Sequence, residues 1–138
     1  MKCCAVVDTN VLVSALLSKN SDAATVHVLR AMLQGRFIPL YHRDILAEYD
    51  EVLHRSKFHL TDDVIQTVLS AVIQYGIEVF PRPTGEILID MDDIIFYEVA
   101  MEKRSDNAWL VTGNRKHYPI EAFIITPAEM MAILDGQA

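Results

Sequence analysis

Several acidic side chains stand where packing alone does not explain them. Asp8 closes the apolar run Cys3–Val7, in the order Val6-Val7-Asp8-Thr9-Asn10. A carboxylate at the exit of a buried strand must be solvated, hydrogen-bonded or bound to a cation. It also suits a turn or a helix cap, and Asn10 beside it fits either role. Asp90, Asp92 and Asp93 crowd three acids into four residues ahead of an apolar helix. Capping and the helix dipole favour acids at such a start, and that is the expected role of Asp92. Three acids exceed what one cap needs, and their repulsion falls when a cation sits among them. All-oxygen donors match Mg2+ or Mn2+. Glu48 falls in a helical stretch, Arg43–Arg55, at about 40° outside the edge of its apolar stripe. Asp44, Asp50 and Glu51 point further toward water, so Glu48 is the acid of that helix best placed to reach inward, although a solvated fringe residue is the ordinary reading.

A second group of residues could serve such a site. Leu110-Val111-Thr112-Gly113-Asn114 ends another apolar run. Gly113 supplies a tight bend there, and the Thr112 hydroxyl and Asn114 amide are expected at the same sheet rim as Asp8. They would orient a ligand or a water. Arg115, Lys116, His117 and Tyr118 follow as a compact basic and aromatic patch. On a loop of an acidic chain this patch is the best candidate for phosphate, with an aromatic ring available to stack a base, although a solvated loop also fits. Lys57, Phe58 and His59 form a weaker patch of the same kind.

The elements that must position these groups alternate. Cys3–Val7 is continuous and apolar, as in a strand covered on both faces. A short helix over 10–17 and a longer one from Ser21 or Asp22 to Gly35 follow. Phe37–Tyr41 reads as a strand, with Pro39 arguing for a less central place. After the Glu48 helix comes another, over 63–75, opened by Thr61 and Asp62 and ended by Gly76. Ile77–Phe80 is a short strand, and Pro81, Pro83 and Gly85 make a loop. A helix over 94–103, strands over 108–112 and 123–126, and a last helix over 128–134 started by Pro127 complete the chain. Strands alternating with helices predict an α/β fold with a parallel sheet covered on both faces. Sites in such sheets lie beyond the carboxyl ends of strands, where strand order reverses.

Bulk properties narrow the field. A chain of 138 residues, 51% hydrophobic, fits one domain with an ordinary core. Acids outnumber Lys and Arg by 19 to 12, for a net charge of −7. That excludes a general nucleic-acid coat protein, which would be basic. It leaves room for a nuclease whose carboxylates hold metal cations. Cys3 and Cys4, the only cysteines, are neighbours for which a bridge is unfavourable, and unbridged thiols suit a reducing compartment. Too few residues precede the first apolar run for a secretory signal, and no apolar stretch reaches the ~18 residues of a membrane span. The expected location is cytoplasmic.

In order and spacing, Asp8-Thr-Asn, the Glu48 helix, the Asp90–Asp93 knot and Val111-Thr-Gly-Asn114 resemble the PIN-domain family over nearly the whole chain. Glu48-Tyr-Asp-Glu-Val-Leu-His-Arg-Ser-Lys-Phe58 and Leu110-Val-Thr-Gly-Asn-Arg-Lys-His-Tyr-Pro119 are similar to a branch of toxin components of toxin–antitoxin systems, related to VapC-type ribonucleases. The resemblance implies a three-layer α/β/α sandwich around a parallel sheet of four or five strands. It also implies a metal-dependent endoribonuclease, often dimeric, acting on RNA and silenced by a protein antitoxin. The family's first three acids correspond to Asp8, Glu48 and Asp93, with Asp90 as an additional acid. A fourth position, commonly Asp, is Asn114 here, which brings an oxygen but no charge, so a second metal would be held less tightly. Arg115, Lys116 and His117, with Asn10, are then expected to hold the strand being cut. A PIN-like binding module with a weakened metal site, acting through a protein partner, is the alternative. A haloacid-dehalogenase-type phosphotransferase would need a second aspartate where Asn10 stands. A receiver domain would place its acidic pair near the start and its key aspartate deeper in the chain.

Overall fold

The computed structural model describes residues 2–136. Five strands make one wholly parallel sheet: β1 (Cys4–Val7), β2 (Ile38–Tyr41), β3 (Ile77–Glu78), β4 (Trp109–Val111) and β5 (Ile124–Ile125). Their order is β3-β2-β1-β4-β5, with Ala5 opposite both Pro39 and Trp109. The helices are α1 (Thr9–Leu17), α2 (Ala24–Leu33), α3 (Arg43–Leu53), α4 (Asp62–Tyr75), α5 (Ile94–Glu102) and α6 (Pro127–Asp135). This is the predicted α/β sandwich. Its core runs through the central strands, where Ala5, Val6, Leu110 and Val111 are fully enclosed.

Strand order explains where a site can form. From β1 the chain steps one way through β2 and β3, then returns past β1 to β4 and β5. A right-handed crossover taken in the reverse direction carries its helix to the other face. α5 therefore packs on β1, β4 and β2. Between the carboxyl ends of β1 and β4 the connections part to opposite faces and leave a crevice. Asp8 and Thr112 are the first residues past those two ends.

Local chemistry sets the element boundaries. Thr61 accepts from the Val64 amide at 3.3 Å and opens α4. Pro127 stands in the first turn of α6, as the sequence predicts, and Thr126 and Glu129 add a capping box that the sequence reading did not foresee. Ser21 and Asp22 do not open α2. The Asp22 amide donates to Asn20 Oδ1 at 3.0 Å, so this turn is closed upstream and the helix starts at Ala24, with Ala23 at its cap and no side-chain cap bond. Pro39 lies off the centre, as expected, although not at the edge: β2 stands between the central β1 and β3. Ile38 N–H donates to the Cys3 carbonyl on the β1 side. The Pro39 nitrogen faces the opposite side, where β3 begins to pair only at Leu40, so the missing donor costs no ladder bond. Gly76 is needed for space rather than torsion: a Cβ there would lie 2.2 Å from the Val72 carbonyl and 2.5 Å from that of Pro39. β3 is shorter than the predicted 77–80 run. Phe80, just before Pro81, is 72% exposed.

Among the described residues, no helix is long and apolar enough to cross a membrane. Cys4 is not bridged to Cys3; its thiol points to the Asp106 carbonyl at 3.8 Å.

Candidate active site

Asp8 stands at the start of α1, yet its side chain makes no capping hydrogen bond there. Asp8 is the N-cap residue by position, but capping does not account for its carboxylate. The carboxylate is 4% exposed and is held through one oxygen, Oδ2. Thr112 Oγ1 donates to it at 2.8 Å, Tyr118 Oη at 2.9 Å and Asn10 Nδ2 at 3.2 Å. Burial raises the Asp8 pKa, while the Thr112 and Tyr118 hydroxyls, with help from the nearby Thr9 and Asn10 amides, pull it back. A buried carboxylate kept on one rotamer by three donors is a pre-oriented ligand. The other hydroxyl of this end of the sheet, on Tyr49, donates to the Val7 carbonyl and anchors α3 to the last residue of β1.

That anchor brings in Glu48, the residue before Tyr49. Glu48 is half-buried and accepts from Thr9 Oγ1. Its pKa is raised, first by burial and then, against the Thr9 bond, by Asp8, Asp92 and Asp90. Asp93 ends a short 3-10 turn, Met91–Asp93, that leads into α5. Its side chain is 16% exposed, and its pKa is pushed up to about 6 by burial, then by Asp8, Asp90 and Glu48, with His117 opposing. Acids from β1, α3 and the α5 turn thus feel one another, although they are 40 and more residues apart in the chain. They line one open cleft of about 460 Å³ together with Asn10, Asn114 and His117.

The other expectations divide. Asp90, not Asp92, does the capping: its carboxylate accepts from the Asp92 amide at 3.0 Å, while Asp92 is exposed on the cleft wall. Thr112 is wholly buried. It accepts from the Asn114 amide at 3.0 Å while donating to Asp8, so it acts through Asp8 rather than at the rim. Asn10 spans the crevice, accepting from the Gly113 amide at 3.2 Å. His117 Nδ1 is 3.7 Å from Asp93 Oδ2. Arg115 and Lys116 do not line this cleft. Arg115 pairs with Glu129 on α6 at 3.3 Å, and both face a separate hollow. Cations at the cleft come instead from the weaker patch region: Arg55 lines it, beside Phe58. Tyr118 is buried and is not a stacking platform in this cleft. Thr9 and Tyr118 carry hydroxyls that hold Glu48 and Asp8, Tyr49 anchors the Glu48 helix through the Val7 carbonyl, and none of them was predicted in that role. The only sequence signal would have been hydroxyls adjoining the candidate acids, at Thr9 beside Asp8 and Tyr49 beside Glu48.

A family model described as a PIN domain matches residues 4–116. The chain belongs to the PIN-domain family. No curated protein matches it. PIN domains are commonly nucleases and typically use divalent metal ions, which makes this one a nuclease-type hydrolase at the coarse level. The donor set fits such an ion: the cleft gathers five carboxylates, the amide oxygens of Asn10 and Asn114 and one imidazole, and the acids repel one another across it. Among the described residues, no three His, Cys, Asp or Glu side chains already close on a single point. The acids of this PIN domain share one cleft.

Proposed function

We propose that this PIN domain is a single-domain, Mg2+- or Mn2+-dependent endoribonuclease. The observation that carries the reading is the single cleft lined by Asp8, Glu48, Asp90 and Asp93, where burial first and then Asp8, Asp90 and Glu48 raise the Asp93 pKa. Groups that raise one another's pKa are held close at a cost, and a divalent cation is the simplest partner that removes that cost. Asp8 and Asp93 would be direct ligands, Glu48 would complete the shell or bind through water, and Asp90 would add charge. When bound, the ion supplies Lewis acidity toward a phosphoryl oxygen and neutralises charge growing there. The protein's own residues do the rest. Thr112, Tyr118 and Asn10 fix Asp8. The Thr9 hydroxyl fixes Glu48. Asn114 offers a neutral oxygen at the cleft. His117, cationic when protonated, and Arg55 supply positive charge for phosphate on either side of the acids.

The test is cleavage of a single-stranded RNA by the purified chain. Cutting is expected with Mn2+ or Mg2+ and is abolished by EDTA. Undiminished cutting in EDTA would remove the metal from the mechanism. The toxin role, with a protein antitoxin, a homodimeric state and a cytoplasmic location, is proposed on the resemblance of the 48–58 and 110–119 stretches. Growth arrest on expression, relieved by the product of a neighbouring small gene, would be the corresponding observation.

A second reading is a binding module of the same fold that acts through a protein partner. It is favoured by the acids not yet closing on one point and by Asn114 in place of a charged ligand. Crystals soaked in Mn2+ separate the two: an ion between Asp8 and Asp93 supports the nuclease, and its absence at saturating Mn2+ supports the module.

A further inference from the structure

We propose that the hollow behind the Tyr118 wall is a nucleobase subsite, which takes the base next to the scissile phosphate and prefers one bearing an amino group. This rests on the nuclease reading above. The hollow has a volume of about 610 Å³ and is bounded by Arg115, Lys116, Tyr118, Ile120, Glu121 and Ile124. Two features stand between it and the acidic cleft. Tyr118 lines the hollow while its hydroxyl reaches Asp8 at 2.9 Å on the other side. The 3-10 turn Arg115–His117 forms the ridge between them, with His117 on the cleft and Arg115 and Lys116 on the hollow. The two depressions are thus one tyrosine side chain apart, comparable with a single nucleotide step of an extended strand.

The chemistry of the walls fits a nucleotide. Ile124 and the Tyr118 ring give a buried apolar floor. Ile120 is completely exposed, as an apolar side chain waiting for a flat partner would be. Two cations sit at the rim of a chain whose net charge is −7, a local exception that suits the phosphate crossing the ridge. Glu121 on the wall offers acceptors and no donor, which suits the exocyclic amino group of cytosine, adenine or guanine, whereas uracil offers it only its N3–H.

The experiment measures binding by fluorescence anisotropy in EDTA, so that nothing is cut. The probes are fluorescein-labelled single-stranded RNAs of about 12 nucleotides, with one abasic position walked along the strand. One abasic position is expected to weaken wild-type binding about tenfold. Ile120→Asp, a change at a fully exposed site that leaves the circular dichroism spectrum intact, should weaken the complete RNA by the same factor and leave the abasic RNA unaffected. Lys116→Glu should weaken every RNA alike and flatten the salt dependence. Glu121→Gln should narrow the disfavour for uridine at the walked position. If Ile120→Asp and the abasic series change nothing while wild type binds and, with Mn2+, cuts, the subsite is overturned and the nuclease stands. If wild type neither binds nor cuts RNA, both readings fall.

Discussion

Asp93→Asn should make the metal-free protein more stable at neutral pH and deaf to divalent cations. Asp93 is held at a pKa of about 6 against an ordinary 3.8. Between those values the folded chain binds more protons at this site than the unfolded chain does, so stability falls as pH rises through that window. The destabilisation is absent at about pH 3.5, where both states are protonated, and complete above about pH 6.5. At about 1.4 kcal/mol for each tenfold change in acidity, the full displacement is on the order of 3 kcal/mol. The cleft is open to water, and screening reduces this to roughly 1–2 kcal/mol. Asparagine keeps the shape and removes the charge, so the metal-free variant should melt about 3–8 °C above wild type near pH 7.5 and coincide with it near pH 3.5. Adding Mn2+ should raise the wild-type melting temperature near pH 7.5, much less near pH 5, and should leave the variant where it was. Calorimetric scans in EDTA and in Mn2+ at those pH values make the measurement. A variant that melts with or below wild type at neutral pH, or one that Mn2+ stabilises as strongly as wild type, would refute the reasoning.

Asp8→Asn should lower RNA cleavage at least about a hundredfold with an unchanged circular dichroism spectrum, and cleavage at the wild-type rate by pure protein would remove Asp8 from the site. Tyr118→Phe deletes one of the three donors on Asp8 Oδ2; it should cost about 1 kcal/mol of stability and weaken Mn2+ binding several-fold by calorimetry, and unchanged affinity would reduce Tyr118 to a packing residue. Asn114→Asp adds a charge to the cleft and should tighten Mn2+ binding, whereas weaker binding would place Asn114 outside the ion's reach. Phe37→Ala, in the fully buried core away from the cleft, should cost about 3–5 kcal/mol while leaving the Mn2+ affinity of the remaining folded protein unchanged.

The sheet was legible because its central strands are uninterrupted apolar runs, and Asp8 was legible because it ends one of them. Asp93 and Glu48 could be proposed from an acidic knot and a helical wheel. Other features depend on three-dimensional paths that periodicity does not carry. Pro39 sits inside the sheet because the side its nitrogen faces is not yet paired, and that follows from where β3 starts rather than from residue type. Arg115 and Lys116 share a three-residue turn with His117, and such a turn points successive side chains in different directions, so a basic run on paper splits between two depressions. Tyr118 looked like a ring for stacking because it is aromatic and follows cations. Its burial comes from the return of β5 alongside β4, a long-range pairing. Asp90 rather than Asp92 does the capping because the turn before α5 is a 3-10 turn whose N-cap is Asp90.

The arrangement of hydroxyls gives the site its physical logic. Five acids around one cleft would repel and spread if each were free to rotate. Asp8 and Glu48 are instead tied to residues of the sheet rim, Asp8 by Thr112 and Tyr118, and Glu48 by Thr9. These donors are neutral, so they orient the acids without cancelling their charge, which a lysine or arginine in the same place would do. Asp93 has no such hydroxyl. Its neighbours are other carboxylates and one imidazole at 3.7 Å, which is why the strain of assembling the cluster concentrates there. A cation entering the cleft would meet two acids already held and one whose charge becomes favourable only when the cation arrives. On this argument occupancy of the site is governed by the protonation of Asp93, and the pH at which Mn2+ begins to protect the fold against heat should follow that residue rather than the more deeply buried Asp8.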